Sequence, residues 1–75
     1  MEIQARIEGI RPYLIHGERY AQIYYSHLDD PDTIHQAQLG YADLPADLKV
    51  GDEVTIYSVL GIVAEVRRSG SSNAG

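Results

Sequence analysis

Residues 2–8 alternate strictly between polar and apolar side chains: Ile3, Ala5 and Ile7 stand between Glu2, Gln4, Arg6 and Glu8. The same period of two returns near the other end. There Val54, Ile56 and Ser58 alternate with Thr55, Tyr57 and Val59, and a β-branched segment at 62–68 follows a Leu60-Gly61 break. Side chains two apart share a face only when the chain is extended, so both segments are expected as half-buried strands. A helical bundle is excluded, because the 3.6-residue apolar stripe it needs is missing outside residues 42–48.

The segments between them read the same way. Residues 19–27 hold Ile23 and three tyrosines, all good strand formers. Residues 34–41 set Gln36 and Gln38 against Ala37 and Leu39. Turns are expected at 16–18, 28–33, 49–53 and Leu60-Gly61, where glycine, proline and aspartate cluster. Gly9 reads as a bend or bulge, and Pro12, with no amide to donate, as an edge or a connection. One helical turn is expected within 42–47, ahead of the fourth strand, with Leu44 and Leu48 plugging one end of the core. The expectation is therefore all-β: a small five-stranded barrel, OB-like or SH3-like, as a single domain over 1–68, with 69–75 a disordered tail.

With 75 residues and no cysteine, neither a disulfide nor a thiolate zinc site can staple the fold. A chain of this size buries about 60% of the surface its unfolded form exposes, so the core works on a thin margin. A homodimer through an exposed edge strand is left open for that reason. The N-terminus has no basic start leading into an apolar run, and no apolar stretch approaches the roughly 20 residues that span a bilayer. A soluble, cytoplasmic protein with no membrane partner is expected.

The formal net charge is −5, and it is unevenly spread. Residues 1–25 carry three acids and three bases, while residues 26–53 carry seven acids against Lys49 alone. An acidic middle repels phosphate backbones, which disfavours a nucleic-acid partner.

Little in the chain points to catalysis. His27 and His35 bracket Asp29, Asp30 and Asp32, but their spacing matches no metal motif, and Asp30-Pro31-Asp32 lacks the remaining ligands of a calcium loop. Ser26 and His27 are neighbours on a strand, so their side chains point to opposite faces. No glycine-rich loop leads into a helix. Neither an enzyme nor a bound cofactor or metal is expected.

The informative residues are the tyrosines. All six aromatic residues are Tyr, a side chain suited to half-wet positions. Tyr20, Gln22 and Tyr24 share one face of the second strand, opposite Ala21, Ile23 and Tyr25. The expected function is a non-enzymatic protein-interaction or adaptor module. Tyr20 and Tyr24 supply apolar contact and Arg19 a hydrogen-bonding fork, while Asp29, Asp30 and Asp32 in the adjacent acidic loop steer a partner with a basic surface. The alternative is a single-stranded nucleic-acid binder of OB type, stacking bases on the same tyrosines.

Two partial resemblances accompany this reading. Arg11-Pro12, Gly17-Glu18-Arg19-Tyr20 and Gly51-Asp52-Glu53-Val54-Thr55-Ile56 with Gly61 resemble the OB domain that ends NfeD-type proteins, which are attached to membranes beside stomatin-like scaffolds. The spacing after Arg11-Pro12 is shorter here and residues 26–47 are additional, so the membrane partnership is not carried over. Leu44-Pro45 with Leu48-Lys49-Val50-Gly51-Asp52-Glu53-Val54-Thr55-Ile56 is similar to the hairpin of AbrB- and MazE-like swapped-hairpin DNA binders. Those have a full helix between the two pieces and basic DNA-facing residues, and this chain has neither.

Overall fold

The computed structural model describes residues 1–69, so most of the expected tail, residues 70–75, lies outside the described residues. The fold is all-β: five antiparallel strands and one short 3-10 turn. The strands are β1 (Glu2–Ile15), β2 (Glu18–His27), β3 (Asp30–Gly40), β4 (Glu53–Val59) and β5 (Ile62–Arg68). They lie in the order β3-β2-β1-β4-β5.

Strand β1 is long because it serves two partners. Its first part pairs with β4, from Glu2 opposite Tyr57 to Arg6 opposite Glu53. From Ala5 to Ile15 it pairs with β2. Pro12 sits inside the strand, beyond the last β4 pair, where the missing amide faces a free edge and costs no ladder bond. Between Ile7 and Gly9 the β1–β2 register slips by one residue and leaves Glu8 as the bulge. Every later side chain of β1 changes face. Ala5 and Ile7 point into the core before the slip; Ile10 stands opposite Ile23 after it.

The break expected over 28–33 is a two-residue turn, Leu28-Asp29, with β3 starting at Asp30. The ladder runs from Ser26 opposite Ile34 straight to His27 opposite Asp30. Pro31, Asp32 and Thr33 therefore have no β2 partner, and a proline is tolerated there. The helical turn falls at Tyr41–Asp43 rather than across 42–47. After it, Leu44 and Leu48 pack against the core. Arg68 anchors this segment, donating to Asp52 at 2.8 Å and to Asp47 at 2.6 Å.

One core joins all five strands: Ala5, Ile7, Ile23, Tyr25, Leu39, Val54, Ile56 and Val66. Because β3 and β5 are the two edges and both feed this core, the sheet curls around it. It does not close. No ladder joins β3 to β5 among the described residues, and the expected barrel is corrected to an open five-stranded sheet. No described helix is long and apolar enough to cross a membrane.

Candidate functional site

Strand β2 separates two environments. Ala21 and Ile23 are fully buried and Tyr25 is 6% exposed, while Tyr20, Gln22 and Tyr24 are half-buried on the other side. The register extends that outer face across three strands. Tyr13 of β1 stands opposite Tyr20, which stands opposite Gly40 of β3; Arg11 stands opposite Gln22, which stands opposite Gln38; Gly9 and Gln36 flank Tyr24. The Glu8 bulge brings Tyr13 to this side.

Contacts fix the rings in place. Tyr13 and Tyr20 stack with centroids 6.0 Å apart. Tyr24 lies over Gly9 so closely that a Cβ there would fall 3.2 Å from its Cδ2, tighter than ordinary packing. A side chain at position 9 would force the Tyr24 ring to give by a few tenths of an ångström, and the φ of Gly9 is not in the left-handed region. Between the rings, Gln22 Nε2 donates to Gln36 Oε1. At the far end of the face the buried Ser26 hydroxyl donates to the Glu8 carboxylate at 2.6 Å.

The remaining residues expected at this site lie elsewhere. Arg19 alternates with Tyr20 and so belongs to the core side, opposite Leu14, with its guanidinium 4.5 Å from the centre of the Tyr41 ring. Asp29, in the turn, and Asp30 and Asp32, at the start of β3, are exposed at the His27 end of β2. Seven residues of extended chain separate Tyr20 from that end, about 23 Å. Tyr24 is the nearer ring. The structure thus brings Tyr20 and Tyr24 together with Tyr13, Arg11 and three glutamines, and sets Arg19 and the aspartates apart. Tyr13 and Arg11 were not anticipated from the sequence. Gly9 was the available signal, since a bulge there exchanges the two faces of β1.

The histidines form a stack rather than a ligand set. His27 and His35 lie parallel, with centroids 4.1 Å apart and planes 9° apart, and Tyr25 covers His35 at 5.4 Å. Nitrogen lone pairs lie in the ring plane, so parallel rings cannot aim them at one ion. Among the described residues no group of three or more His, Cys, Asp or Glu is placed to hold a metal. His35 Nε2 is buried without a hydrogen-bond partner. Burial pushes the Tyr25 phenol above its usual range.

Electrostatic perturbation concentrates at the Arg68 clamp. Asp52 accepts the Lys49 backbone amide at 3.0 Å and the Arg68 guanidinium at 2.8 Å. The backbone bond first, and then Arg68, hold its carboxyl below the usual carboxylate range against partial desolvation. This clamp fastens a loop to β5 and is structural. Comparison with known protein families, curated proteins and solved structures finds no match to this chain.

Proposed function

We propose that the chain is a non-enzymatic protein-interaction module on an OB-like sheet, and that its partner docks on the outer face of β1, β2 and β3. OB-like topology is favoured over SH3-like by the strand order: β3 and β5, the two edges, are the strands that meet in an OB barrel, a fold that is itself partly open. The observation that carries the reading is the three-ring patch. Tyr13, Tyr20 and Tyr24 are half-buried and held by packing, with glutamine amides between them. Across residues 9–13, 20–24 and 36–40 the one charged side chain is Arg11. Pre-ordered tyrosines with an arginine and few competing charges are the composition of an interface centre, because they give contact area at low conformational cost. The exposed Asp29, Asp30 and Asp32 lie beyond the patch, where their field steers a basic partner and raises the encounter rate more than the affinity.

Single-stranded nucleic acid is the second reading, since flat rings on this strand pair also stack bases. Against it stands the lack of a basic groove: Arg11 is alone in the patch, and Glu8 and Glu18 lie at its ends. Two measurements separate the readings. Affinity capture with mass spectrometry is expected to retain a partner on the wild-type chain and on Arg67→Ala, and to lose it on folded Tyr20→Ala/Tyr24→Ala. Retention by the double variant refutes the proposed face. An oligonucleotide titration at low salt is expected to show no binding; binding that weakens steeply with salt establishes the second reading.

A further inference from the structure

On the core side of the β1–β2 hairpin, beyond the last turn of the packed interior, a surface pocket of about 460 Å³ is lined by Pro12, Tyr13, Leu14, Arg19 and Tyr41. Its walls are apolar and wet: Leu14 is 68% exposed and Tyr41 36%. Leucine and proline in an open hairpin mouth gain nothing from folding while they face water. Its polar group is the Arg19 guanidinium, held 4.5 Å over the Tyr41 ring. No carboxylate among the described residues pairs with Arg19; the ion pairs formed belong to Lys49, Arg67 and Arg68. The aromatic face fixes the planar cation without using its hydrogen-bonding edge, since a ring accepts charge through its π surface and leaves the N–H fork free.

We infer that this pocket binds a carboxylate carried on an apolar chain: the guanidinium takes the two carboxylate oxygens side by side, and Pro12, Leu14 and Tyr41 cover the hydrocarbon. An arginine fork matches the carboxylate geometry in a way a single point charge does not. The volume lies within the range of small-ligand sites. The same chemistry is offered by a free medium-chain acid and by the end of a polypeptide whose last side chain is apolar. This site lies on the opposite face of β2 from Tyr20 and Tyr24; Tyr13 borders both it and the tyrosine patch, but the carboxylate contact is made by Arg19, outside that patch. It gives Arg19, which the fold removes from the outer face, a role of its own.

The test is a backbone NMR titration of the full chain with octanoate, with octanol, and with a short acetylated peptide ending in leucine as the free acid or the amide. Octanoate is expected to give saturable shifts at residues 12–14, 19 and 41 and to bind about tenfold or more tightly than octanol, the usual strength of a charged hydrogen-bond pair. Arg19→Gln, on an exposed position and with an otherwise unchanged spectrum, is expected to erase that difference. The tighter of octanoate and peptide acid identifies the source of the carboxylate, and either order supports the site. Equal binding of octanoate and octanol, unchanged octanoate binding by Arg19→Gln, or no saturable shift up to about 10 mM overturns it. Shifts confined to Tyr20, Gln22 and Tyr24 also overturn it, without bearing on whether a protein docks there.

Discussion

Leu60 occupies a position that suits it badly. It is 96% exposed and takes φ of +53°, in the left-handed region, with Gly61 at +80° completing a two-residue turn between β4 and β5. Asparagine or glycine is the favoured first residue of such a turn, and an ordinary side chain there costs about 1–2 kcal/mol. Leu60→Asn is therefore expected to stabilise the chain by about 1 kcal/mol, raising the thermal midpoint by about 5 °C in calorimetry. Asp52 behaves oppositely. Its carboxyl is held below its unfolded value, so the stability it contributes is complete above the unfolded value, about pH 4, and is lost as pH falls through the folded one. The thermal midpoint of Asp52→Asn is expected to lie below wild type at neutral pH, and the gap to close under acid, as a pH series of melting curves would record. Sequence alternation sufficed to place Tyr20 and Tyr24 on one side and Ile23 and Tyr25 on the other. The same alternation already separated Arg19 from Tyr20, by the single residue that changes face in a strand. What it could not supply was the partner of Asp52, because Arg68 arrives from a strand sixteen positions away.

At the level of elements, the β2–β3 hairpin carries an internal conflict. Tyr25, His27 and His35 make a continuous stack, which favours the pairing, while His35 Nε2 is buried without a partner, which opposes it. A buried polar atom left unpaired costs about 1–3 kcal/mol. His35→Phe keeps the ring and removes the orphan, so a gain of about 1 kcal/mol in denaturant unfolding is expected, within that range. A loss would mean that the nitrogen is satisfied by water. The start of this hairpin was also the hardest to read from residues alone. Asp29, Asp30, Pro31 and Asp32 are turn formers, and locally they behave so: Pro31, Asp32 and Thr33 have no β2 partner. The strand begins early because Asp30 pairs with His27, a choice made by the register beyond it. The long β1 is the converse case. Pro12 marks the place where only one side of the strand is paired, not the end of the strand.

For the molecule as a whole, five strands curl around one core and expose a tyrosine face on one flank of β2. The five strands were legible because each repeats its own short-range pattern. Closure was not, since whether β3 meets β5 depends on the curl of the entire sheet and on no local signal. The division of β2 into a structural and a working side underlies the proposed function, and circular-dichroism melting of two variants measures it. Tyr20→Ala/Tyr24→Ala removes the stack on Tyr13 and the cover over Gly9, but nothing from the core. The Tyr13–Tyr20 ring pair contributes about 0.5–1.5 kcal/mol beyond its buried area, and truncating both rings gives up their half-buried apolar surface besides. This variant is expected to melt cooperatively with its midpoint lowered by about 10 °C, whereas Tyr25→Ala, which opens the core, is expected to show no cooperative transition at all. A double variant that unfolds outright, or a Tyr25→Ala that melts like wild type, would mean that the two faces of β2 have been assigned the wrong way round.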